Sequence, residues 1–323
     1  MSRILSRHLI AAGTLAVGFT LLYSQQPKPA ATQDQTGTVF RAATRLVVCH
    51  TTVVDKSGHL VTNLTESAFN VFENDVKQQI KVFKHEDLPV SLGLIIDNSG
   101  SMRPKRAKVE AAALALVKDS NPDDEVFVVN FNDTAYLDNP HGKLFTSDIA
   151  EMEEALTRID SRGGTAMRDA VQMSIDHLVA NAHKDKKVLV LVTDGVENAS
   201  TISKSLEELV RNARQSEVLI YAVGLLTDEE KREAAAAKRQ LNALTQATGG
   251  ESFYPKEVSE VESIAHLVAH DIRNQYTIEY SPSNSELDGT YRRIRVAVKA
   301  PGNPTPRTRT GYFATEQPAP KGK

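Results

Sequence analysis

The chain has 323 residues, 41% of them apolar and 24% charged, with a formal net charge of −3. These values are ordinary for a globular protein and supply apolar residues for one large core or two modest ones. Basic runs are short, HKDKK at 183–187 and RRIR at 292–295, which argues against the broad basic stripe with stacking aromatics that a nucleic-acid face requires.

At the N-terminus Arg3 and Arg7 precede LIAAGTLAVGFTLLY (9–23), an uncharged run followed by Ser24 and the polar stretch QQPKPAATQDQTG. This pattern predicts an export signal over 1–24, cut near Ser24, and a periplasmic or secreted mature protein. The run is shorter than the roughly 20 residues of a membrane span; the alternative is a signal retained as an N-terminal anchor. Residues 25–36, rich in Pro, Gln, Thr and Ala, read as a disordered spacer. The only cysteine, Cys49, excludes an intramolecular disulfide and sits in a β-rich run as a small buried hydrophobe.

Residues 37–87 read as a small β unit. Strand-like stretches at 39–54 and 60–62 flank the turn DKSG (55–58), and FNVFE, then NDVKQ, then QIKVF suggest a second hairpin around Asn74-Asp75. From Val90 the rhythm changes to strands alternating with amphipathic helices. Strands are predicted over 90–97, 124–132, 186–195, 218–225 and 251–255. Helices are predicted over 105–119, 148–159, 168–183, 204–215, 229–248 and 259–275. Such alternation predicts an α/β domain over 88–274, with a doubly wound, mostly parallel sheet covered on both faces. The β character returns over 275–315 in YTIEYSPS, YRRIRVAV and TRTGYFA, before a disordered tail at 316–323. Neither β flank holds enough strands to stand alone, so the two are expected to pair into one β-sandwich with the α/β domain inserted between them.

Three predicted strand ends or loops carry oxygen-rich side chains. LIIDNSGSM (94–102) presents Asp97, Ser99 and Ser101; SRGGTAMRDAV (161–171) presents Thr165; and VTDG (192–195) presents Asp194. In an open α/β sheet the carboxyl ends of the strands form the ligand-binding rim. Hydroxyls and carboxylates without His or Cys select a hard cation, Mg²⁺ or Mn²⁺ or Ca²⁺, and exclude structural zinc. Two carboxylates with three small hydroxyls suit compact Mg²⁺ better than Ca²⁺, which favours more carboxylate. Taken singly, Asp97 would begin an Asx turn, Ser99 would cap the following helix and Thr165 would cap the helix after it. Arg103, Lys105 and Arg106 read as solvated basic residues at a helix start, and Asn132-Asp133 as a turn.

The D-x-S-x-S of Asp97, Ser99 and Ser101, followed by Thr165 and Asp194, resembles the metal-ion-dependent adhesion site of von Willebrand factor type A domains. The likeness covers about 88–274. VVDKSGHLVTNLTESAFNVFENDVKQQI before it and YRRIRVAVK with RTGYFA after it resemble exported acidobacterial proteins of that family. The resemblance implies a Rossmann-like domain in which Ser99 and Ser101 bind the ion directly. Thr165 would bind directly or through water, and Asp97 and Asp194 mainly through water and hydrogen bonds. It implies a non-enzymatic module whose partner protein completes the coordination with an Asp or Glu carboxylate. Two other readings stand beside it: a structural envelope subunit whose metal site is not essential, and a Mg²⁺-dependent phosphohydrolase. Against the latter, Ser99 stands where the haloacid-dehalogenase pattern wants a second Asp, and no general acid lies in the motif.

Overall fold

The computed structural model describes residues 46–158, 160–202, 205–226 and 230–315. The predicted export signal, spacer and tail lie outside the described residues. Six strands build the central sheet: β5 (Val90–Asp97), β6 (Glu125–Phe131), β7 (Ala135–Leu137), β8 (Lys186–Thr193), β9 (Val218–Gly224) and β10 (Ser252–Phe253). Their spatial order is β10-β9-β8-β5-β6-β7. All neighbours run parallel except β7, which returns antiparallel to β6 at one edge. Every residue of β5 is buried, as its near-continuous apolar run requires of a strand covered on both faces.

The period-2 alternation along β5 assigns its two faces. Leu92, Leu94 and Ile96 face α1 (Arg106–Asp119), α2 (Ile149–Thr157) and α6 (Val261–Arg273). Ile95 faces the layer of α3 (Met167–Asn181), α4 (Leu206–Gln215) and α5 (Lys231–Thr248). From β5 the chain winds through β6 to one edge, then returns to β8 on the other side of β5 and continues to β10. The winding direction therefore reverses between β5 and β8, and their carboxyl ends flank the switch-point crevice.

The predicted β flanks interleave. On the N-terminal side are β1 (Val47–Val54), β2 (Phe69–Glu73), β3 (Val76–Gln78) and β4 (Ile80–Lys84). On the C-terminal side are β11 (Tyr276–Tyr280), β12 (Tyr291–Val298), β13 (Thr305–Arg307) and β14 (Gly311–Phe313). They form two antiparallel four-stranded sheets, β13-β1-β11-β4 and β14-β12-β2-β3, each drawing on both flanks. Val47, Cys49, Ile278 and Tyr280 from one sheet share a core with Phe69, Val71, Ile294 and Val296 from the other. The turn Asn74-Asp75 carries φ of 46° and 65°, the left-handed pair of a tight hairpin that Asn and Asp tolerate best after Gly.

Several details depart from the sequence reading. The hairpin around Asn74-Asp75 is formed by β2 with the short β3 of NDVKQ, while β4 of QIKVF crosses to pair with β11. The expected strand at 60–62 is reduced to a single bridge between Leu60 and Val54. The three-residue strands β7 and β13 were not predicted at all.

Two solution properties follow from the sandwich core. Burial pushes the Cys49 thiol up to about 12, so no thiolate is presented to reagents. Ellman's reagent is expected to leave Cys49 unmodified in the native protein and to titrate one thiol per chain after unfolding; rapid native labelling would contradict this packing. Burial, with the positive Lys186 and Arg309 nearby, pushes the His50 imidazole down to about 3. Between pH 6.5 and about 3 the unfolded chain therefore binds a proton there that the folded chain refuses, and stability falls as pH drops through that window. Asp97 and Asp124, both raised to about 6 by burial, act in the opposite sense. The His50 contribution is accordingly read as a difference: His50→Gln should flatten the acid slope relative to the wild type, and an unchanged slope would contradict the assignment.

Candidate metal centre

The site is built from the two strands that flank the crevice. Asp97 is the last residue of β5 and is 1% exposed. Its Oδ1 accepts the Ser99 N–H at 2.8 Å, an Asx turn that folds the following loop back over the strand end. Its Oδ2 accepts the Thr193 hydroxyl at 2.6 Å, which ties β5 to the end of β8. Burial raises the Asp97 carboxyl to about 6, with hydrogen bonds from Thr193 and Ser99 opposing and Asp194 adding to the rise.

Ser99 begins the single 3₁₀ turn Gly100–Met102 but makes no side-chain cap bond. Its hydroxyl instead shares a hydrogen bond of 3.1 Å with that of Ser101, and Ser101 donates to Asp194 Oδ1 at 2.8 Å. Asp194 follows β8 directly and is fully buried. Thr165 does not cap α3 either; Ala166 holds that position, with no side-chain cap bond. The Thr165 hydroxyl lies against Gly195, where an added Cβ would meet it at 3.4 Å. The structure thus brings Asp97, Ser99, Ser101, Thr165 and Asp194 to one rim of one sheet.

The loops that carry these side chains are fastened by backbone bonds. Gly100 N–H donates to Gly163 O at 3.3 Å and Arg162 N–H to Asn98 O at 2.9 Å. Thr165 N–H donates to Asn198 Oδ1 at 2.8 Å, and Asn198 N–H returns to Thr165 O at 3.1 Å. Asp133 Oδ1 accepts the Gly164 N–H at 2.7 Å. Gly163 has φ of 75°, and a Cβ there would fall 2.2 Å from the Asp133 carboxylate, so only glycine lets this loop close on β6's end. Asp169, in the first turn of α3, accepts the N–H groups of Thr201 and Ile202 and is structural.

The residue that sequence reasoning misjudged is Lys105. It is 7% exposed, and its ammonium donates to Asp194 Oδ2 at 2.7 Å. The available signal was its position. It stands at the N-cap of α1, where Ser, Thr, Asp or Asn is favoured and the helix dipole disfavours a cation. Asn98 and Asn130 were also overlooked; they bond to each other at 2.7 Å beneath the rim.

The donor set tests well for a hard cation. Neutral hydroxyls and two carboxylates converge, and among the described residues no cluster of three His, Cys, Asp or Glu offers a softer or more heavily anionic alternative.

The family model for the von Willebrand factor type A domain matches residues 92–269, more than half of the chain, and the chain belongs to that family. Domains of this family commonly act in protein–protein contacts and adhesion and bind a divalent cation. Bovine inter-alpha-trypsin inhibitor heavy chain H4 is 24% identical over 224 residues, 66% of this chain and 24% of that protein. An uncharacterized protein of Synechocystis sp. is 26% identical over 156 residues, 47% of this chain and 36% of that protein. The matches thus span only a quarter to about a third of these relatives. A solved von Willebrand factor type A structure from Catenulispora acidiphila shares the fold at 15% identity, with a TM-score of 0.51 covering 85% of this chain and 74% of that one. Among the described residues no helix is long and apolar enough to cross a membrane.

Proposed function

We propose that this chain is an exported, divalent-cation-dependent protein-binding module whose metal site is a metal-ion-dependent adhesion site. Ser99, Ser101 and Thr165 would hold Mg²⁺, with Mn²⁺ or Ca²⁺ as the other hard cations the donors admit, and Asp97 and Asp194 would orient those donors. The observation that carries the reading is the convergence of the Ser99, Ser101 and Asp194 oxygens, linked at 3.1 and 2.8 Å, at the switch point of the sheet.

The bound cation supplies a concentrated positive charge with an exchangeable coordination position. The chain's own residues set how strongly that charge is felt outside. Neutral hydroxyls neutralise less of it than carboxylates would, so an Asp or Glu carboxylate of a partner protein is attracted to complete the coordination. Asp97 positions Ser99 through its N–H and fixes the β8 end through Thr193. A binding role fits better than catalysis because none of the five donor residues is a general acid; of the nearby basic groups, Lys105 is held by Asp194 within the site and Arg103 donates to Ser161 O at 2.9 Å.

A pull-down from envelope extracts, with wild type and Ser99→Ala in Mg²⁺ or EDTA, tests the reading. Partners of the site should be captured by the wild type in Mg²⁺ and lost both with Ser99→Ala and with EDTA. Capture that survives both treatments would favour a structural subunit with a dispensable metal site.

A further inference from the structure

Lys105 violates three local rules at once. It carries a positive charge at a helix N-cap, against the dipole; it is 7% exposed, against the cost of burying an ammonium; and its side chain enters a site whose function is to hold another cation. Such a conflict between local preference and position is characteristic of a functional residue. Its partner is Asp194 Oδ2 at 2.7 Å, while Oδ1 of the same carboxylate takes the Ser101 hydroxyl at 2.8 Å. One carboxylate therefore faces the metal-donor hydroxyls with one oxygen and the lysine with the other.

We propose that Lys105 is a resident counter-cation of the metal site, which lowers its metal affinity and makes the loaded rim more positive. This inference rests on the metal-binding reading above. Whatever the charge of the surrounding groups, the Lys105 ammonium makes the rim one unit more positive, in the empty and in the loaded site alike. Lys105 thus stabilises the empty site, repels the incoming metal ion, and leaves the loaded site with an excess charge of the sign an anionic partner group requires. It is a positioning residue that acts through Asp194 and contacts no reacting atom.

The signs of these effects separate the proposal from a packing role. Lys105→Met and Lys105→Gln are expected to lower the melting temperature in EDTA while tightening Mn²⁺ binding about tenfold, read from the loss of the free Mn²⁺ electron paramagnetic resonance signal. Acetate, titrated against the Mn²⁺-loaded protein and followed by water-proton relaxation, should bind several-fold more weakly to both variants. Lys105→Arg keeps the charge and should leave all three quantities near wild type. If the uncharged variants fold only when Mn²⁺ is present, the counter-cation role is supported. If they fail to fold even with the metal, or fold with Mn²⁺ affinity unchanged or weakened, the proposal is overturned and Lys105 is a packing residue. A wild type that binds no Mn²⁺ would instead remove the metal-site reading itself.

Discussion

Asp194→Ala is expected to lower the unfolding free energy in EDTA by about 3–5 kcal/mol and to abolish divalent-cation binding. The carboxylate it removes is fully buried and satisfies two groups at once, the Ser101 hydroxyl and the Lys105 ammonium. Taking away one member of a buried pair costs more than the pair was stabilising, because the remaining charge stays desolvated and loses this contact. The effect should show as a shift of the urea midpoint with little change in slope. Asp194→Asn, which keeps the shape and one acceptor for Ser101, should recover part of the stability but not the metal binding. Asp194→Ala with wild-type stability would contradict a stabilising role for the Lys105–Asp194 pair.

Arg292→Met is the second large effect, about 3–5 kcal/mol, and it probes the other half of the molecule. Arg292 on β12 is 2% exposed and lies 3.6 Å from Glu73 on β2, while also donating to Asp288 at 3.2 Å and to Glu286 O at 2.9 Å. Glu73 in turn accepts the hydroxyls of Tyr280 at 2.7 Å and Tyr312 at 2.9 Å. This cluster joins both sheets of the sandwich and both β flanks of the α/β domain. Removing the guanidinium leaves a buried carboxylate held by two phenols alone. Replacing Glu73 and Arg292 together with Leu and Met removes both charges and should recover most of the loss. A loss in the double variant as large as the sum of the singles would show that the two residues act independently.

The α/β domain was legible because its elements are long and strongly patterned. LGLIID and VLVLV are continuous apolar runs, and each predicted helix from 105 to 275 is present to within a few residues. What escaped was short or set by tertiary context. The strand β7 has three residues after the turn at Asn132-Asp133, and β13 is Thr-Pro-Arg within a Pro- and Gly-rich stretch. Three residues carry no period, and Pro306 reads as a turn unless the strand is known to lie at an edge, where proline is tolerated. The interleaving of the flanks was inferred from their shortage of strands, but the crossing of β4 to the opposite sheet leaves no mark in IKVFK.

The same division holds at the site. Each of its five oxygen-bearing residues lies at a strand end or loop that the hydrophobic pattern located, so their meeting at one rim followed from the topology. Lys105 left only one local mark, a cation at the N-cap of α1. A lysine among Arg103 and Arg106 looks solvated, and only the placement of β8's end beside α1 buries it against Asp194. Asn98 and Asn130 were hidden for a similar reason: their pairing beneath the rim depends on the register of β5 with β6.

Calorimetric titration of Mg²⁺ into metal-stripped protein, wild type beside the Ser99→Ala/Ser101→Ala double variant, tests the metal site itself. The wild type should show a single Mg²⁺ site and a folded double variant none. Absence of binding in the wild type, or equal binding in both, would contradict that site.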